Sequence, residues 1–295
     1  IFAILRLIKG RHMFRLSLLC TAALAVSWLS ALADEPGKAA RGADLSCESL
    51  PNTGDLLREQ NQTFLIFGEI HGSREAPKAF GETVCEAART GPVVVGIERP
   101  SQLSGVMQNF VDSDGSDDAR FTLLRGFFDG TDWGLSSQAF LDLFIRLQQL
   151  TAQGADIRMV GFTSATTVGS GSQTPYERRL AAELLRASAR NPDARILVLV
   201  GNLHARKETY PELGSRPAFD PMVMHLPQDE VLSFNIAHSG GDTHRCTAEG
   251  CGPQPVDGRA DPEKTGIWLS DGDLRYDGIW NIGPVSASPP IGTRY

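Results

Sequence analysis

Residues 63–72 read Thr-Phe-Leu-Ile-Phe-Gly-Glu-Ile-His-Gly: an apolar run, Thr63–Gly68, that gives way at once to Glu69, His71 and Gly72. Continuous rather than alternating apolarity marks a strand covered on both faces. Four further runs have the same form: Pro92–Ile97, Ile157–Phe162, Ile196–Gly201 and Val231–Ala237. Helical patterns lie between them. Pro77–Arg89 spaces Phe80, Val84 and Ala88 four apart, and Ser137–Leu150 puts Phe140, Leu143, Phe144, Leu147 and Leu150 on one stripe. Pro175–Arg190 opens on Thr174-Pro175, a helix-start pair, and turns Leu180, Leu184 and Ala187 inward. Alternating strands and helices predict an α/β fold: a mainly parallel sheet with helices on both faces. Residues 101–134 add helical pattern and an acidic loop without a strand. They are expected to form a helical insertion within a single α/β domain spanning 34–295. The run 267–282, with Tyr276 and Trp280, reads as an edge strand.

Residues 1–33 stand apart. Met13-Phe14-Arg15 precedes an apolar run from Leu16 to Leu32, closed by Ala31-Leu32-Ala33. A basic start, an apolar middle and an A-x-A site make a secretory signal peptide, and the twelve residues before Met13 read as an upstream extension. A transmembrane anchor is the rival reading, but Ser17, Thr21, Ser30 and the small-residue end favour cleavage. Leu19 ahead of Cys20 speaks against a lipoprotein. Cleavage removes Arg6, Lys9, Arg11 and Arg15 and no acid, from a chain whose net charge is already −7. So acidic a protein is not expected to hold nucleic acid or an anionic membrane surface. A periplasmic or secreted location follows, with no stable membrane anchor after cleavage. Cys47, Cys85, Cys246 and Cys251 are then an even set in an oxidising compartment. Three pairings are open. The simplest joins Cys246 to Cys251 as a local staple and Cys47 to Cys85; neither pair has the CxxC spacing of a zinc site.

Polar groups collect where the apolar runs stop. The first ends in Gly68-Glu69-Ile70-His71-Gly72 with Glu75 beyond, the second in Glu98-Arg99, and the fourth in Gly201-Asn202-Leu203-His204-Ala205-Arg206. In a parallel sheet these ends face one way, toward the edge where open α/β sheets bind ligands. Such a cluster suits water activation. Either a neutral imidazole held by a carboxylate takes the proton, or Glu69, His71, Glu98 and His204 bind a divalent ion that acidifies water. His71, Glu69, Glu98 and His204 are the catalytic candidates; Arg99, Asn202, Glu75 and Arg206 are candidates for binding a small-molecule or peptide substrate. No GxSxG, GxxxxGK, HExxH or GxGxxG competes.

Phe67–Gly72 with Glu75, then Gly96-Ile97-Glu98, then Gly201–Ala205 resemble the superfamily that joins erythromycin esterases, ChaN-like haem-uptake lipoproteins and TraB/Tiki-type metalloproteases. The resemblance covers residues 63–237 in element order and implies a ChaN/Tiki-like fold with its site at the strand ends. It carries the family's first Glu and His onto Glu69 and His71, its second-strand Glu onto Glu98 and its late His onto His204. Its members differ in chemistry, so it implies either a hydrolase, esterase-like or metal-dependent, or a non-catalytic haem- or metal-binding protein. Tyr176, Tyr210, Tyr276 and Tyr295 all lie away from the motifs in sequence, which leaves haem ligation by tyrosine without support.

The remaining polar features have plainer readings. The aspartate-rich run 112–118 lacks EF-hand spacing and reads as a turn, with Ser116 or Asp117 capping the next helix. His225, His238 and His244 read as loop residues. Trp133 with Ser136 and Ser137 is a candidate lining of the cleft, and Ser136 is expected to cap the following helix.

Overall fold

Alternate residues of the first strand serve two cores, which is why its apolarity is unbroken. The computed structural model of the protein describes residues 44–128, 134–164, 171–248, 250–270 and 275–291. The signal-peptide reading of residues 1–33 and the expectation for Trp133 lie outside them. In β1 (Phe64–Glu69), Leu65 and Phe67 pack into a core built from α1 (Thr53–Glu59), α2 (Glu75–Ala88), α3 (Ser104–Val111), α4 (Asp117–Phe127) and α5 (Gln138–Ala152). Phe64 and Ile66 face the opposite core, which α6 (Thr174–Arg190) covers with Leu180, Ala181 and Leu184. Phe67 stacks on Phe234 at 5.4 Å and meets Phe80 and Trp280 edge-on at 5.6 and 5.3 Å.

The sheet has seven strands in the order β3-β2-β4-β1-β5-β9-β8. β2 (Val93–Pro100), β3 (Ile157–Thr163), β4 (Arg195–Gly201) and β5 (Val231–Ala237) run parallel with β1, matching the expected α/β class. The C-terminal run supplies two strands where one was expected. β9 (Gly278–Asn281) extends the parallel set beside β5, and β8 (Gly266–Leu269) closes the edge antiparallel to it. Between β2 and α5 the described residues form a short 3-10 turn (Ser101–Leu103), α3 and α4. Ser116 caps α4, accepting a hydrogen bond from Ala119 N.

Two strand ends run further than their apolarity. Glu69 closes β1, and Glu98 and Arg99 lie within β2, because pairing in the sheet, not hydrophobicity, ends a strand. His244, expected in a loop, is buried in a strand. It belongs to β6 (Gly241–Thr247), which forms an antiparallel hairpin with β7 (Gly250–Val256) and whose alternation is too polar to stand out in sequence. Both expected disulfides are present: Cys47–Cys85 ties the segment before α1 to α2, and Cys246–Cys251 bridges the hairpin near its turn. Among the described residues no helix is long and apolar enough to cross a membrane.

Candidate active site

Strand order decides which polar ends meet. β4 lies between β2 and β1, so the residues following it are flanked by Glu98 on one side and Glu69-Ile70-His71 on the other. Glu69, His71, Glu98 and His204 do converge, as anticipated. His71 Nδ1 lies 2.7 Å from Glu69 Oε1, and its Nε2 faces Glu98 Oε2 at 3.4 Å. His204 Nε2 faces the other Glu98 oxygen, Oε1, at 3.4 Å. A fifth member was not foreseen: Glu177 Oε2 lies 2.7 Å from His204 Nδ1. The result is a chain, Glu69–His71–Glu98–His204–Glu177, with Glu98 between two carboxylate-held imidazoles.

The surroundings fix each member. The Gly201 N–H donates to Glu98 Oε2 at 2.7 Å. Gly201 forms the floor: a Cβ there would lie 3.2 Å from His71 Nε2 and 3.5 Å from Glu98 Oε2. Glu177, in the first turn of α6, accepts the Met222 N–H at 2.9 Å and a short hydrogen bond from Gln173 Nε2. Glu69 and Glu177 have fully buried side chains, whereas the His71 side chain keeps 28% of its surface exposed, the most in the chain. Water therefore reaches His71 first.

Burial opposes charge on both rings, but the flanking carboxylates overcome it. Glu69 and then Glu98 raise His71 to about 10, and Glu98 with Glu177 raises His204 to about 10. Burial likewise opposes the Glu98 charge, yet His204 and His71 hold its carboxyl well below the ordinary range. The carboxylates thus favour the imidazolium form of both rings. The sequence offers Glu69 or Glu98 as the partner of His71, and the structure places both beside it.

The four residues expected to bind a divalent ion are linked to one another by hydrogen bonds and ion pairs. Glu69 occupies the Nδ1 edge of His71, opposite the Nε2 that faces Glu98. Among the described residues no group of three or more His, Cys, Asp or Glu is disposed to hold a metal.

The expected substrate-binding residues divide. Arg99 stays next to the cluster; its Nη2 donates to Ser136 Oγ at 2.5 Å and its guanidinium lies 4.8 Å over the Phe127 ring. Ser136 thus holds Arg99 rather than capping α5. The residue before α5 is Ser137, and it is Ser288 Oγ that accepts the Ala139 N–H at 2.9 Å. Asn202 contributes its backbone, donating to Glu69 O at 2.9 Å and accepting from Tyr276 Oη at 2.9 Å. Glu75 is engaged elsewhere, its carboxylate accepting from Ser286 N and Oγ at 2.8 and 2.6 Å. Arg206 pairs with Glu208 at 2.7 Å and lies 5.5 Å over Tyr210. Tyr176, remote from every motif in sequence, comes within 6.3 Å of the His204 ring, and burial followed by Glu98 and Glu177 pushes its phenol up to about 12.

No family model matches the sequence, and no curated protein matches it. Solved structures do. An erythromycin esterase mutant in its open conformation is 11% identical with a TM-score of 0.59, over 81% of this chain and 94% of the other. A succinoglycan biosynthesis protein is 10% identical with a TM-score of 0.60, over 81% and 91%. A ChaN of Campylobacter jejuni with cofacially bound haem is 10% identical over 79% and 98%, at a TM-score of 0.36. Identities this low speak for architecture only: the chain shares its α/β fold with the erythromycin esterase and the succinoglycan biosynthesis protein.

Proposed function

We propose that the protein is a hydrolase acting outside the cytoplasm on a small-molecule or peptide substrate. The single observation behind this reading is the placing of two carboxylate-held imidazoles on either side of Glu98. Loss of one proton from this chain leaves one ring neutral and the other cationic, the pairing that hydrolysis needs. His71, the more exposed ring, takes a proton from water through Nε2 as the water oxygen bonds to the substrate carbonyl carbon. His204, still charged, stabilises the resulting oxyanion. The C–O or C–N bond then breaks, and the proton held on His71 passes to the leaving group, restoring the neutral ring. Glu69 and Glu177 fix the tautomers through the Nδ1 atoms. The erythromycin esterase-like fold is in keeping with this chemistry, and the two disulfides suit an oxidising compartment.

The test is hydrolysis of an ester, amide and lactone panel by wild type and His71→Asn. Asparagine keeps an N–H for Glu69, whereas alanine would leave that buried carboxylate without its partner and confuse folding with chemistry. The substituted protein should lose about 10²–10⁴ of the rate and melt within a few degrees of wild type. Saturable haemin binding by absorbance, with no hydrolysis anywhere in the panel, would replace this reading with that of a haem-binding protein.

A further inference from the structure

The sheet edge that carries the imidazoles continues past β1 into a second feature. Beyond β5 and β9 lies a cleft of about 670 Å³, well within the size range of small-molecule sites. Ile70, between Glu69 and His71, is part of its wall, so the cleft and the cluster adjoin. The hairpin forms another wall and holds its place through a hydrogen bond from His244 N to Gly72 O at 2.9 Å.

Three kinds of group line this cleft. Asn235, in β5, has a buried amide oxygen with no hydrogen-bond partner among the described residues. An unsatisfied buried acceptor is costly, and a ligand hydroxyl would satisfy it. Trp268, in β8, offers an aromatic surface. Arg245 and Arg259 supply positive charge that no carboxylate of the described residues neutralises: Arg245 Nη2 donates to the Pro255 carbonyl at 2.8 Å, and Arg259 is held only through its backbone N–H, on His238 O at 3.0 Å. Lys264 is partly offset by Asp261 at 3.7 Å, and Asp257 also borders the cleft. In a chain of net charge −7, two arginines without an ion pair beside an orphan amide and an indole form a distinctive local combination.

We infer that the cleft binds the acidic sugar portion of the substrate: a ring whose hydroxyl meets Asn235, whose apolar face meets Trp268 and whose carboxylate meets Arg245 and Arg259. Planar guanidinium groups recognise carboxylate through paired N–H donors. Only the placing of the scissile bond over His71 rests on the hydrolytic reading; the binding itself does not.

The experiment titrates D-glucuronate and D-glucose into the protein at low ionic strength, following tryptophan fluorescence. Glucuronate should saturate, with glucose at least about tenfold weaker, the difference one charge-assisted contact makes. Arg259→Ala should erase that preference, Asn235→Leu should weaken both sugars, and added salt should weaken glucuronate alone. His71→Asn should bind glucuronate as wild type does. Equal binding of the two sugars, no saturation by glucuronate, an unchanged preference in Arg259→Ala, or lost binding in His71→Asn would each overturn the inference. Hydrolysis failing while glucuronate binding persists would instead remove the hydrolytic reading and leave this one standing.

Discussion

Glu98 touches both rings and adds to the charge that Glu69 gives His71 and Glu177 gives His204, and through them it bears on the pH at which the site can work. With His71 titrating near 10, the base form is a minority at neutral pH. Under the proposed mechanism kcat/KM therefore rises about tenfold per pH unit through the neutral range, peaks near pH 10 and falls above it as His204 loses the charge the mechanism needs. Glu98→Gln removes the negative charge between the rings, so both release their protons more readily. Its profile should peak at a lower pH, with a reduced maximum because the remaining base is weaker. A profile unmoved by that substitution would mean that Glu98 does not set the charge state of His71. Four members of the chain were readable in sequence because each ends or closely follows an apolar run. Glu177 was not. It sits in the first turn of a helix, where an acid ordinarily complements the helix dipole, and nothing local connects it to His204, 27 residues later.

Elements that are short or polar explain what the sequence hid at the next scale. The buried strands announce themselves by apolarity, and α5 and α6 by period. The β6–β7 hairpin does neither: its residues are mostly exposed, and its second strand contains Pro253 and Pro255, residues that argue against a strand in sequence. Ser288 and Ser286 gain their roles from the tail's path across α5 and α2, which no local pattern encodes. The two disulfides differ in the same way. Cys47–Cys85 closes a separation of 38 residues and Cys246–Cys251 only 5. By loop entropy the first contributes about 4 kcal/mol and the second about 2 kcal/mol. Replacing Cys47 and Cys85 by serine should thus lower Tm more than replacing Cys246 and Cys251. The hairpin variant should show its larger effect on glucuronate affinity, since Arg245 neighbours Cys246 on a wall of the cleft. A larger Tm loss from the hairpin variant would show that the hairpin braces the whole fold.

At the scale of the whole molecule the same protons tie activity to stability with opposite signs. The cluster joins β1, β2, β4 and α6, so its charge state bears on global unfolding. His71 and His204 are raised from 6.5 to about 10 in the folded protein. Their contribution is fully present below pH 6.5 and is lost as pH rises through about 10. Glu98 is depressed from 4.5, so its contribution is present above pH 4.5 and is lost as pH falls through its lower folded value. Between about pH 4.5 and 6.5 all three act together, and Tm should be highest there, declining toward pH 10 while the hydrolytic rate climbs. Other groups also weaken the fold in alkali, so the decisive comparison is with Glu98→Gln. Its imidazoles gain less from folding, and its Tm should fall less steeply between pH 6.5 and 10 than that of wild type. Parallel Tm curves for the two proteins would mean that Glu98 does not help hold the rings protonated, leaving Glu69 and Glu177 as the cause of the alkaline rise in activity.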